Sequence, residues 1–146
     1  MSRFEIQSGP WSQLQHDAQL IRRKVFIEEQ NISEVDEWDD QDAVSLHFVM
    51  YEQNQPIATA RLLQNDSIGR VAVLKSYRGE GIGRLLMQHI IDVAKQEHRT
   101  VLKLSAQTYA IKFYENLGFQ LQGEAYLDCG IPHIDMCQSL KNSEIK

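Results

Sequence analysis

The sequence is poor in cysteine and proline and has no long apolar run. Its two cysteines, Cys129 and Cys137, are too few to cross-link a chain of 146 residues, so we expect no structural disulfide. No window approaches the roughly eighteen apolar residues of a membrane-spanning helix, and the amino terminus lacks the apolar run of a secretory signal. These absences argue against a membrane protein and against export, and we expect a cytoplasmic location.

An excess of basic residues is also missing. The formal net charge is −5, whereas proteins that bind a nucleic acid backbone need many Lys and Arg contacts to phosphate. We therefore expect no nucleic acid partner. The chain is 42% hydrophobic and 24% charged, which is typical of a globular protein. Its length and its lack of repeats or linkers predict a single domain over residues 1–146.

The spacing of apolar residues predicts alternating strands and helices. The predicted strands cover residues 3–7, 44–51, 57–63, 68–74, 100–105, 119–122 and 133–140. A first helix begins near Ser12, a second extends from about Gly81 to His98, and a short third one lies between Thr108, a candidate cap, and Gly118, a candidate terminator. The acidic stretch after the first helix is interpreted as a loop. This order predicts an α/β fold with a mixed, mostly antiparallel central sheet flanked by helices.

The most specific local motif is the glycine-rich segment 78–84, which joins the fourth strand to the second helix. Glycines allow close backbone approach, and the first turn of a helix offers free N–H groups at its positive dipole end. Arg78 and Arg84 add formal charge, so the segment predicts a phosphate site. A dinucleotide fold would need G-x-G-x-x-G and an opening parallel unit, and a P-loop would need Lys-Ser or Lys-Thr after the glycines. A plain glycine-rich connector is the remaining alternative.

The loop in this position resembles that of the GNAT superfamily of N-acetyltransferases. In that family an R/Q-x-x-G-x-G/A loop binds the coenzyme pyrophosphate, and Arg78, Gly81 and Gly83 match it. Residues 110–119 resemble the family element A-x-x-F-Y-x-x-x-G-F, which contains Tyr114. The resemblance implies a GNAT-like fold and acetyl-CoA as cosubstrate. The coenzyme contacts that it implies are Val71, Ala72, Val73, Arg78, Gly79, Glu80, Gly81, Ile82, Gly83, Arg84, Gln107 and Tyr114.

The amino-terminal half and a segment near the end resemble the ElaA-like bacterial branch of this superfamily. The residues that carry this second resemblance are Arg22, Val25, Phe26, Glu29, Gln30, Glu34, Asp36, Asp39, Asp42, Ala43, His47, Ala60, Arg61, Leu62, Gly130, Ile131, Pro132 and His133. The resemblance therefore covers most of the chain, from residue 22 to residue 136.

The family resemblance implies that an acetyl group moves from acetyl-CoA to a primary amine by direct attack in a ternary complex. We predict that a backbone N–H near Val73, freed by a β-bulge, stabilises the oxyanion, and that Tyr114 protonates the thiolate. The strand that carries a Glu in many members has no carboxylate here. The sequence therefore does not identify the general base, and the candidates are Glu29, His47 and His133, each acting through water.

Several alternatives remain open from the sequence. The fold also suits a non-catalytic acyl-CoA sensor or a protein-interaction module, and the acceptor is either a small-molecule amine or a peptide amine. A homodimer is the default assembly. His133, Asp135 and Cys137 alternate on one strand near Cys129, but this pattern arises easily by chance and we expect no metal.

The acidic stretch from Glu28 to Asp42 carries eight carboxylates and no Lys or Arg. A solvated run is the preferred interpretation, because most charge blocks are exposed. The alternative is a local field that attracts a cationic amine and disfavours anionic substrates.

Overall fold

The computed structural model describes residues 3–140, which form one seven-stranded sheet with four α-helices. The strands are β1 Phe4–Gly9, β2 Leu46–Glu52, β3 Gln55–Leu62, β4 Ser67–Val73, β5 Val101–Gln107, β6 Gln120–Asp128 and β7 Ile131–Ser139. The helices are α1 Trp11–Arg22, α2 Glu34–Glu37, α3 Ile82–Gln96 and α4 Ile111–Glu115. Within these residues no helix is long and apolar enough to cross a membrane.

The sheet is mixed and mostly antiparallel, as the sequence predicts. Its order is β1-β2-β3-β4-β5-β7-β6. Every neighbouring pair is antiparallel except β4 and β5, which run parallel and are joined by the crossover through α3. The βαβ crossover and the antiparallel meander are therefore both confirmed.

The two faces of the sheet are covered by different helices. In β2, Phe48 and Met50 face the cluster that packs on α3, whereas Val49 and Tyr51 face the cluster that packs on α1. This alternation follows from the two-residue period of a strand. All four side chains are buried, so β2 is a central strand with an apolar layer on each face.

Three local features differ from the predictions or add to them. The first helix, for which the sequence predicts a start near Ser12 and no end, is followed directly by a π-helical segment, Arg23–Glu29. The acidic stretch contains α2, whose first turn is capped by the Ser33 hydroxyl accepting from the Asp36 N–H at 3.3 Å. Within the described chain Thr108 makes no side-chain cap bond, since the short helix begins with a 3-10 turn at Thr108–Ala110.

The predicted terminator of the third helix is confirmed. Gly118 has φ +103°, the left-handed conformation that a residue after a helix end commonly adopts. The Gly118 N–H donates to the Glu115 carbonyl at 3.0 Å, and the Phe119 N–H donates to the Tyr114 carbonyl at 3.1 Å. These bonds define a Schellman motif, and they fix Tyr114 one turn before the chain enters β6.

Strand β6 is longer than predicted. The sequence indicates four residues, but the strand covers nine, and all nine are exposed. An edge strand that buries no face has no hydrophobic alternation for a sequence pattern to reveal. The register also shifts between Gln122 and Tyr126, where Gly123 has φ +82°.

Candidate active site

A gap between β4 and β5 is the main opening in the sheet. Among the described residues, these parallel strands pair at two positions, Ser67 with Lys103 and Ile68 with Leu104. Both strands then continue toward their carboxyl ends without pairing to each other. Since the glycine loop follows β4 and α4 follows β5, the gap opens between the two motifs that the sequence singled out.

The backbone of Val73 faces this gap. Val73 lies opposite Ala58 on β3, and the next residue, Leu74, donates its N–H to the Ile57 carbonyl at 2.9 Å. Because successive backbone groups of a strand point to opposite edges, the N–H and C=O of Val73 point away from β3. The N–H therefore faces the opening between β4 and β5.

A bulge exists in β4, as predicted, and it lies two or three residues before Val73. Thr59 pairs with Ala72 and Arg61 with Gly69, so the single residue Ala60 of β3 lies opposite two residues of β4, Arg70 and Val71. Arg70 has φ +51°, which is unusual for a residue with a Cβ. Val73 stays in regular register, and its N–H is free of β3 through strand alternation.

The glycine loop has the backbone conformation of an anion site. Gly79 and Gly81 have φ +83° and +79°, values that side chains rarely adopt. Among residues 3–140 no side chain caps α3, and its first turn carries no acid. The first-turn N–H groups of Ile82, Gly83 and Arg84 therefore lack intrahelical partners, as at every helix start.

Gly83 serves a second purpose in packing. A Cβ at this position would lie 3.3 Å from the Phe113 ring and 3.8 Å from Val73 Cγ2, so glycine lets α3 lie close to α4 and β4. Ala72 and Ile82 are buried in the core, and only their backbones can contact a ligand. Glu80 forms an ion pair with Arg3 at 3.4 Å.

Arg78, the predicted pyrophosphate ligand, is held by Glu29. Its Nη1 and Nη2 donate to the Glu29 carboxylate at 2.6 and 2.8 Å, and its Nε donates to the Val73 carbonyl at 2.9 Å. The hydrogen bond from Arg78 lowers the pKa of Glu29, which makes this carboxylate a weaker proton acceptor. Glu29 also does not line the cleft between β4, β5 and the β6–β7 turn, so the structure disfavours Glu29 as the base.

A cleft of about 340 Å³ opens between β4, β5 and the β6–β7 turn. Four of the residues proposed from the sequence line it: Val71, Gln107, Tyr114 and His133. These residues come from four separate elements that the fold brings together. The Gln107 side chain also exchanges hydrogen bonds of 3.0 and 3.5 Å with Gln30, the residue after Glu29.

Tyr114 lies on α4 between two phenylalanine rings. Phe113 and Phe119 pack edge-on against it, with ring centroids 5.0 and 6.1 Å away. Burial raises the pKa of Tyr114 strongly, so the phenol keeps its proton and is a donor. Among residues 3–140 its hydroxyl has no hydrogen-bond partner. The hydroxyl is therefore available to a ligand in the cleft.

The two candidate histidines differ in their surroundings. His133 is 8% exposed, and its Nδ1 lies 2.7 Å from the Ile131 carbonyl. Since a carbonyl only accepts, Nδ1 carries the hydrogen and the neutral ring leaves the lone pair on Nε2. His47 does not line the cleft, its Nε2 is bonded to the Asp42 carbonyl at 2.9 Å, and burial lowers its pKa. The structure therefore favours His133.

The preferred prediction of a solvated acidic stretch holds for six of its eight carboxylates, which are exposed, but not for the other two. Glu37 and Asp42 are buried and paired with arginines from α1 and β3. Arg22 donates to Glu37 at 2.8 Å and to both oxygens of Asp42 at 2.8 and 3.1 Å, and Arg61 donates to Asp42 at 2.8 Å. Burial raises the pKa of Glu37 despite these cations.

Arg70, the residue at the bulge, joins this network to the cleft. Its Nε lies 3.1 Å from the Glu37 carboxylate, and its Nη2 donates to the Glu37 carbonyl at 2.8 Å. The acidic stretch is thereby fixed as one wall of the cleft. Sequence reasoning missed this network, because its arginines lie up to 33 positions from the acids that they bind. Within residues 3–140 no group of three or more His, Cys, Asp or Glu side chains could hold a metal.

Comparison with known proteins identifies the family. Residues 17–140 match the family model described as the acetyltransferase (GNAT) domain. The chain therefore belongs to the GNAT family of acetyltransferases, and it is an acyltransferase. The resemblance drawn from the glycine loop and the Tyr114 segment is confirmed.

The similar proteins include the bacterial branch expected from the sequence. Protein ElaA of Escherichia coli (strain K12) is 32% identical over 128 residues, which are 82% of this chain and 84% of ElaA. The crystal structure of Escherichia coli ElaA has a TM-score of 0.84 and 29% identity, covering 92% of this chain and 99% of that chain. The uncharacterized N-acetyltransferase YjcF of Bacillus subtilis (strain 168) is 36% identical over 124 residues, 82% of this chain and 89% of YjcF.

One solved structure with the same fold contains the coenzyme. A GNAT family acetyltransferase from Elizabethkingia anophelis with acetyl-CoA bound has a TM-score of 0.72 and 17% identity, and the match covers 96% of this chain and all of that one. At this identity the match establishes the shared fold.

Proposed function

We propose that this protein transfers the acetyl group of acetyl-CoA to a primary amine by direct attack in a ternary complex. The observation that supports the proposal is the gap between β4 and β5, where Tyr114 and His133 line one cleft and the N–H of Val73 points away from β3. Either a small molecule or a peptide can supply the amine. Acetyl-CoA is a substrate, and the proposal needs no metal.

The glycine loop and the first turn of α3 bind the diphosphate of the coenzyme. The N–H groups of Ile82, Gly83 and Arg84 point out of the helix start, where the macrodipole favours an anion. In this state Arg78 is released from Glu29 and adds its charge to the site. The thioester arm then lies along β4, beside the backbone N–H of Val73.

The Val73 N–H stabilises the negative charge that develops on the thioester oxygen. The group is part of a rigid central strand, so little reorganisation is needed when the charge forms. The amine nitrogen attacks the carbonyl carbon, the carbon–sulfur bond breaks, and the thiolate takes the proton of Tyr114. A buried, protonated phenol beside the cleft suits this step.

His133 accepts the proton that the amine loses. Its Nδ1 donates to the Ile131 carbonyl at 2.7 Å, so Nε2 is the ring nitrogen left to accept a proton. The proton that His133 gains and the proton that Tyr114 loses balance each other, and solvent returns both groups to their starting state.

The thiol that lines the cleft, Cys129, further supports direct transfer. Desolvation and nearby carboxylates raise the pKa of Cys129. A raised pKa disfavours the thiolate that would be needed to form an acyl-enzyme.

Calorimetry with acetyl-CoA, followed by a thiol-release assay over a panel of amines, tests the proposal. We expect binding of acetyl-CoA and release of CoA thiol only when an amine is added, with a mass increase of one acetyl group on that amine. Binding without turnover over the whole panel would instead favour the non-catalytic sensor.

A further inference from the structure

The ring of Tyr126, on the edge strand β6, packs against the ring of His133 on β7. The two ring centroids are 6.2 Å apart and the ring planes are 24° from parallel, which is within the range of offset-stacked aromatic pairs. His133 is 8% exposed, whereas Asp135, the next residue on the same face of β7, is exposed. The Tyr126 ring therefore covers one side of the imidazole.

A bulge in β6 brings Tyr126 to this position. Before the bulge, Gln122 lies opposite Asp135. After it, Tyr126 lies opposite His133, and in between three residues of β6 lie opposite one of β7. In a regular register Glu124 would lie opposite His133. Bulges are frequent beside active sites, where they redirect a side chain, and this one places an aromatic ring where a carboxylate would otherwise lie.

The hydroxyl of Tyr126 is fixed by side chains of two other strands. It donates to Asp135 Oδ1 at 2.6 Å. Because its hydrogen is used there, the hydroxyl of Ser105 on β5 donates to the Tyr126 oxygen. Desolvation and the Asp135 carboxylate raise the pKa of Tyr126, so the phenol keeps its proton and remains a donor. Side chains of β5 and β7 therefore hold the Tyr126 ring in place.

One hydrogen bond alone does not fix the orientation of the His133 ring. Its Nδ1 donates to the Ile131 carbonyl at 2.7 Å, and this bond restrains one atom while the rest of the ring can turn about it. Packing of Tyr126 against the face of the ring restricts that rotation. A general base must lie within hydrogen-bond reach of the proton that it accepts, so the orientation of this ring matters for the proposed reaction.

We propose that Tyr126 is a positioning residue, which holds the His133 ring in the orientation in which Nε2 accepts the proton of the amine. This inference rests on the proposed function and adds a residue of the edge strand that does not itself line the cleft. Tyr126 acts through His133 and does not contact the substrate. Its removal should therefore affect turnover only when His133 is present.

Thiol-release kinetics of Tyr126→Leu and Tyr126→Phe, with an amine accepted from the panel, test the inference. We expect Tyr126→Leu to lower kcat about tenfold, less than the roughly hundredfold cost of a full misplacement of a reacting group, with the KM for acetyl-CoA unchanged. Tyr126→Phe keeps a ring against His133 and should retain most of kcat. The control is Leu121→Ala, another exposed apolar residue of β6 on the other side of the bulge, which should match the wild type.

The double variant Tyr126→Leu/His133→Gln separates positioning from a general effect on the fold. If Tyr126 acts through His133, its substitution should have no further effect once the imidazole is absent. The double variant should then have the kcat of His133→Gln. A further tenfold loss in the double variant would overturn the inference, because it would show that Tyr126 acts on the fold or on another group.

A second readout does not depend on turnover. Nitrogen-15 NMR of the histidine rings distinguishes the two neutral tautomers, and the signal that is absent from His133→Gln identifies His133. In the wild type, Tyr126→Phe and Leu121→Ala we expect the tautomer with the hydrogen on Nδ1. In Tyr126→Leu we expect a signal averaged between the tautomers, because a ring without its packing partner loses the bond to the Ile131 carbonyl for part of the time.

The outcomes separate the inference from the proposed function. Unchanged kcat in Tyr126→Leu would overturn the positioning role and leave acetyl transfer intact, and so would a lower kcat with an unchanged His133 signal. If acetyl-CoA binds but no amine is acetylated, the proposed function fails, and the NMR signal alone decides whether Tyr126 holds the ring. Circular dichroism checks folding, and Tyr126→Met, which also lacks a ring, replaces Tyr126→Leu if that variant does not fold.

Discussion

Arg78 and Glu29 form a two-bond ion pair that links the glycine loop to the end of the π-helical segment after α1. The bonds are 2.6 and 2.8 Å long, and the same guanidinium donates from Nε to the Val73 carbonyl. The next residue, Gln30, is bonded in turn to Gln107 at the end of β5. Two consecutive residues thus hold two of the predicted coenzyme ligands, one on each side of the gap.

Glu29→Gln should increase the affinity for CoA. The substitution removes the carboxylate that competes with the diphosphate for Arg78, and a partly exposed ion pair of this kind is worth about 0.5 to 1 kcal/mol, or roughly a twofold to fivefold lower Kd. Calorimetry with CoA measures the change. Glu28→Gln is the matched control, since Glu28 precedes it on the same segment and has no ion-pair partner among residues 3–140. Weaker binding by Glu29→Gln would show that the carboxylate assists the coenzyme.

Tyr114→Phe should lower kcat about tenfold to a hundredfold, with little change in coenzyme affinity. The phenylalanine keeps the packing against Phe113 and Phe119 but removes the proton that the thiolate receives. Thiol-release kinetics and calorimetry measure the two effects separately. Tyr51→Phe, a buried tyrosine on the opposite face of the sheet, is the control. Unchanged turnover of Tyr114→Phe would remove the phenol from the mechanism.

His133→Gln should lower kcat by about a hundredfold, because a glutamine amide of similar reach cannot accept the amine proton. His47→Gln should leave kcat nearly unchanged in the folded protein, since His47 is bonded to the Asp42 carbonyl outside the cleft. Circular dichroism checks that both variants fold, and the thiol-release assay compares them. Equal losses in the two variants would contradict the assignment of the base.

Asp39 should make the folded state sensitive to acid. The hydrogen bond from Arg61 lowers its pKa from 3.8 to about 2, so Asp39 contributes stability above its unfolded pKa and loses it as the pH falls toward 2. After a discount for partial exposure, the free energy of unfolding should fall by about 1 to 2 kcal/mol more in the wild type than in Asp39→Asn between pH 5 and pH 2. Urea unfolding at several pH values measures this difference.

The control for the acid prediction is Asp40→Asn, whose exposed carboxylate has no ion-pair partner within the described chain. This variant should follow the wild-type pH dependence. If Asp39→Asn and the wild type lose stability in parallel, the ion pair with Arg61 does not contribute to acid stability.

Most of the sheet could be predicted from sequence, because its strands bury at least one face. Runs of apolar and β-branched residues mark β2 and β3, which are buried on both faces, and a two-residue period marks β5. The change of period marks α3. Strand β6 lies at an edge and is exposed throughout, so it has no such signal. The π-helical segment was also missed, since its buried residues Val25 and Phe26 continue the pattern of an ordinary helix.

The parts of the candidate site that could be predicted are those whose residues are close together in the sequence. The glycine loop and the Tyr114 segment are continuous in sequence, and both lie at the gap between β4 and β5. The partners of Arg78 and of the acidic stretch could not be predicted, because each pair joins residues far apart in the chain. Glu29 and Arg78, for example, are 49 positions apart, and only the fold brings them together.

Initial-rate kinetics of CoA release, with acetyl-CoA and an amine accepted from the panel both varied, test direct transfer most directly. Intact-mass measurement of the protein incubated with acetyl-CoA alone accompanies the kinetics. The account predicts intersecting double-reciprocal lines and an unmodified protein mass. Parallel lines together with a protein heavier by one acetyl group would contradict it, since they would show that the acetyl group is first transferred to the protein.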